Sequence, residues 1–147
     1  MATEIITRIE INAKPAAVWA ELMAFESYPS WNPFIKRIEG TAKPGEKLLV
    51  ILHPPGGSAM TFKPKVLAAT PNKEFKWLGH LMIRGIFDGE HRFELKETAK
   101  GGTELIHAER FRGILVPLLR KMLNTKTKAG FEQMNAALKQ RVETAKH

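Results

Sequence analysis

The sequence predicts an α+β fold in which one antiparallel sheet packs on a single long helix. Three observations carry this. Residues 4–11 (Glu-Ile-Ile-Thr-Arg-Ile-Glu-Ile) read as a strand that leads directly into a short helix. A run of further strands follows, joined by turns too short for parallel crossovers. The chain then ends in one amphipathic helix, roughly Val116 to Ala145. That helix must bury its apolar stripe on the sheet. If the sheet curls around it, the space between them becomes a pocket for a small hydrophobic molecule.

In the first strand, Ile5, Thr7, Ile9 and Ile11 alternate with Glu4, Arg8 and Glu10, the pattern of a half-buried strand. Asn12 is the expected cap of the first helix and Pro15 falls in its first turn. Val18, Trp19, Leu22 and Met23 form its apolar stripe. The stretch 25–34 is dense in aromatics and prolines and reads as a second short helical turn that breaks at Pro33. Strands are expected near 34–40, 46–53, 59–69, 73–80, 86–98 and 103–112. The turn signals Lys43-Pro44-Gly45-Glu46, Pro54-Pro55-Gly56-Gly57, Thr70-Pro71-Asn72-Lys73 and Lys100-Gly101-Gly102 separate several of them. Pro64 is a candidate bulge that shifts the alternation around Phe62. In the last helix Leu115, Leu118, Leu119, Met122, Phe131, Met134, Leu138 and Val142 recur mostly three, four or seven apart. Its middle, Thr125 to Gly130, is small or polar on the same side. Either the helix tolerates a weak segment there, or small residues keep bulk out of a cavity.

The chain has 147 residues, one domain's worth, with 44% hydrophobic and 26% charged residues. Folding at that length buries roughly 68–70% of the chain's surface, enough for a core. No apolar run approaches the ~18 residues of a membrane span, and Glu4 and Arg8 interrupt the first apolar stretch, unlike a signal peptide. Without cysteine there is no disulfide framework, thiol nucleophile or thiolate metal site. The expected location is the cytoplasm. The net charge of +8 invites a nucleic-acid reading, but the basic residues fall in scattered pairs such as Lys36/Arg37, Arg110/Arg112 and Arg120/Lys121. The expectation is a solvated basic surface, with no nucleic-acid partner and no integral membrane association. Gly56-Gly57 lacks a following Lys-Ser/Thr pair and is a hairpin turn rather than a phosphate loop, so no cofactor is expected. Oligomeric state is not legible.

Alternation assigns the faces that carry chemistry. Phe87, Gly89, His91, Phe93 and Leu95 share one side of their strand, with Asp88, Glu90, Arg92, Glu94 and Lys96 opposite in solvent. On the next strand Thr103, Leu105, His107, Glu109 and Phe111 share a side. A hairpin around Lys100-Gly101 brings His91 near Glu109 and Phe93 near His107. Three readings of this inner-face cluster stand open: hydrogen-bonded core histidines, a polar anchor for a ligand, or a general base with His91, His107 and Glu109 as catalytic candidates. Two histidines and a carboxylate can also bind zinc or iron, but their spacing matches no established metal motif, and no metal is expected. His53 and His80 fall out of phase with their strands' apolar residues, and His147 is terminal. The residues expected to line a ligand pocket are Trp31, Phe62, Trp77, Phe87, His91, Phe93, His107, Glu109, Phe111, Met122 and Phe131. Asn32 and Phe34 are expected at the pocket mouth, and Leu115 on its wall.

Several stretches carry a resemblance. They are Ile11-Asn12-Ala13-Lys14-Pro15-Ala16-Ala17-Val18-Trp19, Tyr28-Pro29-Ser30-Trp31-Asn32-Pro33-Phe34, Phe75-Lys76-Trp77-Leu78-Gly79, Phe87-Asp88-Gly89-Glu90-His91-Arg92-Phe93, Gly102-Thr103-Glu104-Leu105 and Phe111-Arg112-Gly113. In this order they resemble the START/birch-pollen-allergen (SRPBCC) superfamily, and especially its polyketide cyclase/dehydrase-like branch, over nearly the whole chain. The resemblance implies a helix-grip fold: a seven-stranded antiparallel sheet around the last helix, with two short helices closing one end. The superfamily includes sterol and lipid carriers, hormone receptors and cyclases, so fold alone does not choose the activity. Two expectations follow. One is a binding module for a lipid, isoprenoid or aromatic polyketide-like ligand. The other is a cyclase/dehydrase- or isomerase-type enzyme that moves protons through the His/Glu cluster.

Overall fold

The computed structural model describes residues 3–81 and 84–145; His147 lies outside the described residues. Strand β1 (Thr3–Ile11) runs into helix α1 (Pro15–Met23), a 3-10 turn (Phe25–Ser27) and the single-turn helix α2 (Tyr28–Trp31). Strands β2 (Ile35–Glu39), β3 (Leu49–Leu52), β4 (Met60–Phe62), β5 (Lys65–Thr70), β6 (Glu74–Leu81), β7 (Phe87–Glu97) and β8 (Thr103–Arg112) follow. The chain closes with α3 (Val116–Met122), a π-helical turn (Leu123–Thr127) and α4 (Lys128–Thr144), end to end.

All pairings are antiparallel, in the orders β1-β8-β7-β6-β5 and β2-β3-β4. The strand expected over 59–69 is broken in two. Pro64 has no N–H to give a ladder, so pairing stops at Phe62 and resumes at Lys65. The two pieces still share a neighbour. β4 pairs with β3, while residues 45–48 just before β3 bond to residues 64–66: Leu48 N–H donates to the Pro64 carbonyl at 2.8 Å and Val66 N–H to the Glu46 carbonyl at 2.8 Å. The two sheets therefore join into one curved wall, equivalent to seven strands with one interrupted.

Helix α4 lies inside that wall, against β1 and β8, and also touches α1 and α2. Phe131, Met134, Leu138 and Val142, its apolar stripe, are fully buried. Two local expectations change. Lys14, not Asn12, occupies the N-cap of α1; Asn12 instead gives its backbone N–H to Glu143 Oε2 at 2.7 Å, tying the end of β1 to α4. Gly130 does not border a cavity. A side chain there would collide with the Phe34 ring, which packs edge-on against Phe131 at 5.4 Å. The small residue makes room for an aromatic from the segment after α2.

The convex face is more organised than simple solvent exposure. Arg92 reaches Glu4 at 2.7 Å and Glu94 at 3.1 Å, and His80 meets Asp88 at 2.8 Å. Exposed pairs of this kind contribute about 0–1 kcal/mol each.

Candidate functional site

Between α3, the π turn and the sheet lies a cavity of about 80 Å³. A water needs about 10–15 Å³ on a comparable measure, so the space takes several waters or a slender apolar group. β7 and β8 send alternate residues into it. Phe87, Gly89 and His91 come from β7, and Glu109 and Phe111 from β8. Trp77 and Gly79 line it from β6, and Met60 and Phe62 from β4. Leu119, Met122, Leu123 and Thr127 form the helical side. Apart from the Trp77 indole N–H, the polar side chains in this lining are those of His91, Glu109 and Thr127, and it holds no lysine or arginine.

Seven of the residues expected at a pocket border this cavity: Phe62, Trp77, Phe87, His91, Glu109, Phe111 and Met122. Four do not. Phe93, His107 and Phe131 are fully buried beside it. Phe93 and His107 lie further along β7 and β8, where Phe131 of α4 fills the space, so an inward-facing side chain there meets the helix and not a void. Trp31 ends α2 and folds back on Tyr28, with ring centroids 5.3 Å apart, away from the cavity. Leu115, just before α3, is also outside the lining. Of the expected mouth residues, Phe34 is a wall, while Asn32 does structural work: its Oδ1 accepts the N–H groups of Phe34 and Ile35, both at 2.9 Å. The sequence reading missed Val50 and Leu52, because residues 49–52 are apolar on both faces and show no alternation, and it gave Pro54 only as part of a turn. It also missed Thr127, which the π turn aims inward.

At the boundary between the cavity and the packed core lies a chain of polar groups. β7 and β8 pair His91 with Glu109 and Phe93 with His107, directly opposite. His91 Nδ1 is 3.0 Å from Glu109 Oε1, and His91 Nε2 is 2.7 Å from His107 Nε2. His107 Nδ1 is 2.8 Å from Asn135 Oδ1 on α4. Asn135 Nδ2 donates to Thr7 Oγ1 at 2.8 Å, and Thr7 Oγ1 donates to the His107 carbonyl at 2.7 Å. The faces of both imidazoles meet apolar rings. His107 stacks on Phe131 at 4.1 Å and on Phe93 at 4.4 Å, and His91 stacks on Trp77 at 4.7 Å. Burial first, and then the neighbouring His91, hold His107 well below the ordinary imidazole range, so it is neutral at pH 7. Glu109 gains its place from Gly89: any side chain at 89 would overlap the carboxylate. Among the described residues no cluster of three or more ligating groups has the geometry of a metal site.

The fold is a helix-grip fold with an internal cavity, and the comparisons with known proteins narrow the class. A family model described as polyketide cyclase/dehydrase and lipid transport matches residues 2–143, so the chain belongs to that family. Among solved structures, the chain is similar to the di-domain ARO/CYC BexL from the BE-7585A biosynthetic pathway, with TM-score 0.79 and 12% identity over 99% of this chain and 51% of that one. A START superfamily protein from Mycobacterium smegmatis matches with TM-score 0.73 and 21% identity, covering 95% and 97% of the two chains. Ara h 8.0201 matches with TM-score 0.67 and 17% identity, covering 99% and 100%. At these identities the likeness is one of fold. The chain spans about half the length of BexL and of the di-domain ARO/CYC StfQ from the steffimycin pathway. No curated protein is similar to it in sequence. Among the described residues no helix is long and apolar enough to cross a membrane.

Proposed function

We propose that this protein binds a small hydrophobic molecule in the cavity between sheet and α3, oriented by the Glu109–His91 pair. One observation carries the reading: a lined apolar space with an imidazole and a carboxylate set together in its sheet wall. Walls of this kind supply affinity through burial, and a few placed polar groups supply orientation. The family's description, which includes lipid transport, supports the same class of ligand. The test is native mass spectrometry of the protein purified from its host. A co-purifying small molecule, absent when Phe62 and Met122 are both replaced by larger or charged residues, is the expected result. Protein that is consistently empty, and that binds no apolar probe in solution, would sink the reading.

A second reading, a cyclase- or dehydrase-type enzyme, draws on the 3.0 Å contact between an imidazole and a carboxylate bordering the cavity. Such a pair can take a proton from a carbon next to a carbonyl and return it to an oxygen. The two di-domain ARO/CYC structures support asking the question. Glu109→Gln separates the readings. A carrier keeps its affinity within a few-fold, whereas an enzyme retains binding and loses turnover by 10²–10⁴-fold.

A further inference from the structure

We propose that Thr7, Asn135 and His107 act as positioning residues that keep the His91–Glu109 pair neutral overall with Glu109 Oε2 as its free acceptor, so that the cavity selects apolar alcohols or phenols over carboxylates and over ligands lacking a donor. The proposal rests on the cavity reading above and names the ligand's polar group. It follows from counting protons along the chain. Thr7 gives its hydroxyl proton to the His107 carbonyl, so its oxygen must receive from Asn135 Nδ2. That fixes the amide and turns Asn135 Oδ1 toward His107. His107 must then carry its proton on Nδ1 and present a bare Nε2. The contact of 2.7 Å between the two Nε2 atoms needs one proton, which His91 has to supply.

With His91 Nε2 thus committed as a donor, a single proton is left for His91 Nδ1 and Glu109 Oε1 to share. It can reside on either atom. In both cases the pair is neutral overall and Glu109 Oε2 is an acceptor. Among the described residues no donor hydrogen-bonds Oε2, which lies against Gly89, itself a cavity wall; Glu109 is 9% exposed. Oε2 opens onto the cavity, so water or a ligand can supply its donor, and a ligand that displaces the water without bringing a donor leaves it unsatisfied. A hydroxyl supplies it. A carboxylate brings no donor and would set an uncompensated negative charge beside an acceptor oxygen in a lining that has no lysine or arginine. An ether or hydrocarbon leaves Oε2 unsatisfied.

Two measurements test this on the intact protein. The first needs no ligand: ¹⁵N-resolved NMR of the histidine rings. His107 should be the Nδ1–H tautomer and His91 should carry a proton on Nε2. His107 found as the Nε2–H tautomer overturns the proposal, since His91 would then be neutral, Glu109 would carry the pair's net negative charge, and the relay would not hold the pair neutral. The second is binding of 2-naphthol, 2-methoxynaphthalene and 2-naphthoate by calorimetry. 2-Naphthol should bind at least tenfold tighter than the other two, and Glu109→Leu should bring 2-naphthol and the ether to within about twofold. Asn135→Leu should let the His107 tautomers mix and cut the naphthol-to-ether ratio several-fold. A merely structural Asn135 would weaken all three ligands alike, and that result overturns its positioning role. If all three bind wild type equally, the cavity reading stands and this proposal fails. If none binds, both fail.

Discussion

The inner face of the sheet has two halves made from the same strands. Toward the end of β7, Phe93 and Leu95 are buried in one apolar core with Phe131, Met134 and Leu138 of α4, and nothing is left open. Toward its start, Phe87 and Gly89 face Leu119, Met122 and Leu123 across a cavity. The strands alternate identically in both halves. The difference lies in the helix above them: α4 is regular and carries large apolar residues on one stripe, while the π turn at Leu123–Thr127 interrupts the repeat before it. π turns often accompany functional sites. Gly89 adds to the space from below and admits the Glu109 carboxylate. His91 and Glu109 stand at the border, anchored from the closed half and facing the open one. On the proposed function, stability and binding fall to different stretches of one helix.

Substitutions in the two halves should therefore differ in kind. Phe131→Ala, in the closed half, should cost about 3–5 kcal/mol in urea unfolding; a loss as small as that of a cavity-wall residue would erase the distinction. Gly130→Ala should destabilise by about 1–3 kcal/mol, because the added methyl meets the Phe34 ring. If Gly130 were only a tolerated weak spot, alanine would stabilise the helix by about 1 kcal/mol instead, so the sign decides. The closed half should also show a pH dependence. The folded-state pKa of His107 lies below its unfolded value, so the unfolded chain takes up the proton first as pH falls. Its contribution is fully present above about pH 6.5 and is lost below that, with a slope of up to about 1.4 kcal/mol per pH unit. Unfolding at pH 7.5, 6.5 and 5.5 should show that decline, and His107→Gln should flatten it. Phe62→Ala, in the open half, should cost only about 1 kcal/mol and change ligand affinity several-fold.

Much of this architecture was readable from the residues. β7 and β8 announce themselves because one face is apolar and the other charged, and the short Lys100-Gly101 turn fixes their register well enough to set His91 against Glu109. The polar chain was within reach too. Thr7 sits in phase with Ile5 and Ile9, and Asn135 lies four residues after Phe131 and three before Leu138. A polar residue on an apolar stripe is a signal that went unused. Other features left no local mark. Period-two alternation says which side chains turn inward, but not whether a helix or a void awaits them, so Phe93 and His107 could not be told from Phe87 and Phe111, and the helical repeat likewise did not say that Phe131 meets packed core. The π turn has no sequence signature beyond small and polar residues, and the run Leu49–Leu52 is apolar throughout.

The separation of the two halves is tested most directly by methionine-methyl NMR during titration with 2-naphthol. Met60 and Met122 border the cavity, while Met134 is fully buried in the closed half. Saturable shifts at Met60 and Met122, with Met134 unmoved, are the predicted result. Shifts at Met134 equal to theirs, or no shift at either cavity methionine, would contradict the assignment of ligand binding to the open half.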